Sequence, residues 1–240
     1  MLTYFLSTFM KIKHSIGDDS VKYQYVNINS IALMSLIGLT YFVLIIIAMH
    51  KLHSDYNPLS RYISEYAVGK YGQLAASSFV TYGLAILVIY FCLKTVLPVS
   101  VKSDMGLTLM AIWGVAVFIT GFFNTDLKAE VMSLRGTVHT VATNIGVAAS
   151  MICFIFLSYS FAYNEGTQSI ALVTLIIAII ALILTGLLFL GLLGDFMLKY
   201  HYNVSSKILL SLHKLTGLSE RLLVGISIVW LIIIVSFVTS

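Results

Sequence analysis

The side chains best equipped to do chemistry in this chain are few, and they fall into four short stretches. Asn57, Ser60, Arg61, Ser64 and Glu65 make up the first, and Asp126 stands alone. Arg135, His139 and Asn144 share the third, and Glu220 and Arg221 are adjacent in the fourth. A histidine near a carboxylate is a common acid-base pair, and a serine beside it can act as nucleophile or ligand. Asp126, His139 and Ser64 are therefore the candidates for catalytic roles. Asn57, Ser60, Arg61, Glu65, Arg135, Asn144, Glu220 and Arg221 are the candidates for holding a polar ligand. Each has an ordinary explanation beside the functional one. Arg61 and Glu65 are spaced i, i+4, a weak pair on an exposed helix. Asp126 can cap a following turn, Glu220 suits a first helical turn, and Arg221 can reach head-group phosphates.

The elements that must position these residues follow from composition. The 240 residues are 59% hydrophobic and only 10% charged, whereas a soluble domain is nearly a quarter charged, so most of this surface must face lipid. Apolar runs at 31–49, 74–93, 105–123, 138–161, 170–193 and 222–238 are each long enough, at about 1.5 Å per residue, to cross a hydrocarbon layer of about 30 Å. They are continuously apolar rather than alternating, which predicts helices and not barrel strands. The fold class is all-α: a polytopic membrane bundle of about six transmembrane helices with short interfacial helices. Residues 1–29 are expected to form an interfacial segment and residues 30–240 the six-helix domain. Cys92 and Cys153 fall inside spans, where a thiol behaves as a small hydrophobe.

Six spans place the first, third and fifth loops on one face by parity, and all the candidate residues but Asn144, a turn and a half into the fourth span, belong to those loops or to the span ends adjoining them. Nine of the fourteen Lys and Arg residues also lie there, so the positive-inside bias predicts that this face is cytoplasmic. The net charge of +4 comes from loop residues and forms no nucleic-acid-binding stripe. Within the first loop, Asn57, Pro58 and Gly69 are start and stop signals for a helix over 58–68. Leu59, Tyr62, Ile63, Tyr66 and Ala67 would form its apolar face, and Ser60, Arg61, Ser64 and Glu65 its polar one. The fifth loop predicts a short helix capped by Asn203 or Ser205 and ended by Gly217. The fifth span, whose strongest polar side chains are Thr174 and Thr185, is expected to face lipid more than the others.

Asn57-Pro58-Leu59-Ser60, Ile63-Ser64-Glu65, Phe123-Asn124-Thr125-Asp126, His139 and Gly217-Leu218-Ser219-Glu220-Arg221 together resemble a family of six-span prokaryotic membrane proteins known as domain of unknown function 998. The resemblance runs from about residue 30 to the end. It implies the six-helix fold and a prokaryotic plasma membrane, and it supplies no activity.

No metalloprotease helix, nucleophile elbow or Gly-rich phosphate loop is present, and the histidines lie mostly at span ends rather than in facing pairs. No metal or cofactor is expected, and nucleic acid is not an expected partner. Two functions fit the residues. One is binding or moving a lipid head group or small amphiphile at a polar mouth. The other is an intramembrane lipid hydrolase or transferase that uses Asp126 and His139. The last expectation is an acid-arginine contact between different loops, from Arg221 or Arg135 to Asp126 or Glu65, with His139 lining the same cavity.

Overall fold

The computed structural model describes residues 28–127, 132–200 and 207–239. The expected interfacial segment at 1–29, up to residue 27, and the caps Asn203 and Ser205 lie outside them. The elements are α1 (Ile28–Leu52), a 3-10 turn (Ile63–Ala67), α2 (Gly72–Val96), α3 (Val101–Thr120), α4 (Leu134–Ala162), α5 (Gln168–Lys199), α6 (Lys207–His213) and α7 (Thr216–Val238). Six of these helices are long and apolar enough to span a membrane. Among the described residues there is no strand, as lipid requires when every backbone group must find its partner within the segment.

Most spans run past their expected ends, and three differences bear on the site. The last span begins at Thr216 rather than at residue 222, so Gly217 lies inside it, and the short helix of the fifth loop ends at His213 instead. The third span begins earlier and ends at Thr120, because the Ser100 hydroxyl accepts from the Ser103 amide and starts the helix there. The fifth span runs on to Lys199 and so carries Asp195 within its last turns. The segment at 58–68 is not the amphipathic α-helix its pattern predicts. Only Ile63–Ala67 is helical, as a 3-10 turn, and Glu65 from its supposed polar face is fully buried. Gly69 does take the left-handed conformation, at φ 88.

Neighbouring spans pack in sequence from α1 to α5, and α7 closes the bundle against α5, α1 and α2. Lipid gives helices no hydrophobic reason to associate, so contact depends on shape and close approach. A chain of rings supplies the shape. Phe42 of α1 stacks on Tyr82 of α2 at 4.7 Å, Tyr82 meets the edge of Trp113 of α3, Trp113 meets Phe154 of α4 at 5.4 Å, and Phe154 stacks on Trp230 of α7 at 4.4 Å. Such pairs contribute about 0.5–1.5 kcal/mol each beyond area burial. The fifth span adds no ring to this chain. It is nonetheless not the most lipid-exposed: 33% of its most apolar stretch is buried, against 28% for the first span and 56% for the fourth. The sequence expectation is corrected there, because α5 carries packing duties toward α4, α6 and α7.

Close approach depends on glycine at one contact above all. A Cβ on Gly83 would lie 2.5 Å from the Phe118 amide nitrogen and 2.8 Å from the Gly114 carbonyl oxygen, so α2 and α3 touch backbone to backbone. Gly83→Ala is therefore expected to force these helices apart and lower stability by about 2 kcal/mol. Gly225→Ala, where a Cβ meets nothing within 4 Å, should be neutral or slightly stabilising. Thermal unfolding of both variants in the same detergent checks the contrast.

Candidate functional site

The first loop has too little helix to satisfy its own backbone, and α7 satisfies it instead. The Leu59 carbonyl accepts from the Leu218 amide at 3.0 Å, the Ser60 carbonyl from the Thr216 hydroxyl at 3.3 Å, and the Arg61 carbonyl from Arg221 Nη1 at 2.7 Å. In the other direction, the Ile63 amide donates to Glu220 Oε2 at 2.6 Å. Gly217 permits this seating, since a Cβ there would fall 2.4 Å from the Arg61 carbonyl oxygen.

Arg221 has the largest share of these contacts. Besides the Arg61 carbonyl, its guanidinium donates to the Gly217 carbonyl at 2.9 Å, the Tyr66 hydroxyl at 3.2 Å and His50 Nε2 at 3.0 Å. His50 Nδ1 lies 2.6 Å from the Ile46 carbonyl, which can only accept, so Nδ1 carries the proton and Nε2 offers its lone pair to Arg221. Arg61 stands 4.6 Å over the Tyr56 ring and pairs with Glu65 at 2.8 Å. The pair is half-buried rather than the exposed i, i+4 pair that spacing alone suggests, because the Glu65 side chain is 0% exposed and that of Arg61 29%. This acid-arginine contact also lies within one loop, whereas the sequence led us to expect one between loops.

Asp126 differs from expectation in its role. Its two carboxylate oxygens accept from the Ser133 amide at 2.7 Å and the Ser133 hydroxyl at 2.8 Å. Ser133 in turn accepts from the Gly136 amide at 3.0 Å. The carboxylate sits so close over the first turn of α4 that a Cβ on Gly136 would be 1.9 Å from Asp126 Oδ2. Asp126 thus fastens the third loop to the start of α4, as its ordinary explanation anticipates.

A cavity of about 210 Å³ opens beneath these loops. Four of the sequence candidates line it, namely Ser64, His139, Asn144 and Glu220. Asn57, Ser60, Arg61, Glu65, Asp126, Arg135 and Arg221 do not. Asn57 instead shapes the turn of the first loop, its side chain accepting from the Leu59 amide at 3.0 Å, and Arg135 is exposed on the first turn of α4. Phe42, Phe79, Trp113, Leu188 and Leu223 form much of the apolar wall. His139 is buried, and its Nδ1 lies 2.7 Å from the Phe123 carbonyl. The Phe123 carbonyl can only accept, so Nδ1 donates to it, and the ring lines the chamber.

The lining residues that are exposed are Thr140 and Asn144 on α4 and Phe189 on α5. The most exposed part of the lining therefore belongs to the flank of the bundle where these two helices lie side by side. Asn144 is about 15 Å along α4 from Leu134 at 1.5 Å per residue, so this exposed lining reaches well down the span.

Sequence reasoning missed a further group at the edge of this cavity. The Tyr62 hydroxyl, which belongs to the cavity lining, donates to Asp195 Oδ2 at 2.5 Å, and the other oxygen of the same carboxylate meets His213 Nδ1. Burial first, and the Asp195 carboxylate second, push the Tyr62 hydroxyl well above the ordinary tyrosine range. Asp195 could have been found by the rule that flagged Asp126, since it too is an acid at the end of an apolar run. It passed unnoticed because the run was ended at residue 193 and the helix is longer. Tyr62 carried no signal beyond its place on a supposed apolar face.

Tyr62→Phe should cost about 2 kcal/mol, the range for a hydrogen bond to a charged group, read as a lower unfolding temperature. Because the folded state holds this proton more tightly than the unfolded chain, its contribution is complete below about pH 10 and falls as pH rises beyond that. The variant should lose that part of the alkaline slope.

No curated protein and no solved structure matches the chain. A family profile does, over residues 36–236, a stretch that contains all six spans in whole or large part, the clasp between the first loop and α7, and every cavity-lining residue. On that match this multi-pass integral membrane protein belongs to the family described as protein of unknown function, DUF998.

Proposed function

We propose that this protein binds a small amphiphile, or the head of a lipid, in the cavity under its odd-numbered loops, taking it from the side between α4 and α5. The observation that carries this reading is the exposed stretch of lining on α4 and α5. Thr140, Asn144 and Phe189 are exposed although they line the chamber, and lining exposed on the flank of a membrane helix faces hydrocarbon rather than water. The wall suits a ligand that arrives from lipid: rings and aliphatic side chains receive its apolar body, and a few polar groups fix its head. A volume of about 210 Å³ is somewhat larger than a cavity of about 150 Å³ that binds benzene, so it fits a head group or a short chain and not a whole phospholipid. The positive-inside bias would put this face in the cytoplasm.

A hydrolase or transferase reading has one observation in its favour. His139 and Ser64 share the cavity, an imidazole and a hydroxyl in one chamber. Asp126 would not serve as the third member, because its oxygens are held by Ser133.

The test is retention of ligand after mild extraction, read by native mass spectrometry. The wild-type protein should carry a bound small molecule or lipid. Thr143→Trp, which places an indole in the chamber, should reduce its occupancy by about tenfold while the protein stays folded and inserted. Equal occupancy in the two proteins, or none in either, would overturn the reading. Turnover of the retained molecule by the wild type but not by His139→Gln would favour the enzyme.

A further inference from the structure

The charged groups around the cavity are sorted by sign, and the sorting indicates what kind of head it takes. Among the described lining residues, Glu220 carries the only formal charge. Its Oε2 accepts the Ile63 amide at 2.6 Å, an arrangement that suits a carboxylate. One more acid stands directly behind a lining residue: Asp195 accepts from the Tyr62 hydroxyl.

The nearest arginines are turned to other work. Arg221 gives its donors to Arg61, Gly217, Tyr66 and His50, and Arg61 pairs with Glu65. Neither lines the chamber, so a phosphate or carboxylate placed there would meet Glu220 and, among the described lining residues, no arginine. A cation would meet a carboxylate in a chamber whose lining includes the rings of Tyr62, Phe42, Tyr82 and Trp113, and aromatic rings attract positive charge through their quadrupoles.

We propose that the cavity is selective for a cationic head, a primary or quaternary ammonium on a short apolar body, with Glu220 as its counter-charge. This rests on the amphiphile reading above and adds the sign of the ligand. Such a head could come from an aminophospholipid or from a free amphiphilic amine, and the two share the ammonium that Glu220 would recognise.

Three probes of equal chain length separate the possibilities: hexylammonium, hexanol and hexanoate. Their binding would be measured calorimetrically on the full chain in phosphatidylcholine nanodiscs. Hexylammonium should bind about tenfold or more tighter than hexanol, and hexanoate more weakly than either. Glu220→Gln, which keeps an acceptor for the Ile63 amide, should bring hexylammonium down to the level of hexanol. Hexanoate binding as well as hexylammonium would overturn the proposal on the wild type alone, whatever the variant does. Unchanged hexylammonium affinity in folded Glu220→Gln would also overturn it. Equal binding of all three probes would defeat the charge selectivity and leave the amphiphile reading standing, whereas no saturable binding of any would defeat both. Adding phosphatidylethanolamine to the nanodisc identifies the source: competition with hexylammonium points to the lipid, and its absence to a free amine.

Discussion

The structure depends on the hold that Glu220 and Arg221 take on the first loop. A loop that must lie against a membrane bundle cannot leave its amides and carbonyls without partners, because near hydrocarbon each unmet group costs several kcal/mol. Here three successive carbonyls and one amide of the loop are met by the start of α7. That arrangement fixes the backbone from Leu59 to Ile63 and therefore the two side chains, Tyr62 and Ser64, that reach the cavity from this loop. It also ties α7 to α1 through His50, so the same guanidinium that orders the loop helps to close the ring of helices.

With the loop fixed, the polar residues divide into two populations. Arg61, Glu65, Asp126 and Arg221 are occupied with backbone and with each other. His139, Asn144 and Ser64 line the chamber, and Glu220 does both, holding the Ile63 amide while it lines the chamber. The first population is where the electrostatic cost of placing charge near lipid is offset. Sequence places the two side by side, with Glu220 next to Arg221 and Ser64 next to Glu65. Successive residues point about 100° apart in an α-helix and about 120° apart in a 3-10 turn, so neighbours in sequence reach different surroundings.

That division explains how much could be read without coordinates. The six spans were legible because lipid demands long, unbroken apolar runs, and the shared face followed from counting them. Glu220 and Arg221 stood out as charges opening an apolar helix. The shape of the first loop was not legible: its helical spacing was real, but its backbone partners lie about 155 to 160 residues away in α7, and no local pattern reports them. Asp126 and Asp195 show the same limit from opposite sides. Each is an acid at the end of a span, yet one became a helix cap and the other a bridge between Tyr62 and His213, an outcome decided by which chain segment lies across from it.

The separation between Arg61 and Arg221, 160 residues, also bears on how the molecule is made. During synthesis the first loop emerges while α7 does not yet exist, and its carbonyls must wait in head-group water until the sixth span arrives. A nascent chain that has inserted five helices is threaded through the membrane but has no roof over the chamber and no carboxylate in it. The chamber is thus a late product of assembly, completed by the same helix that seals the bundle.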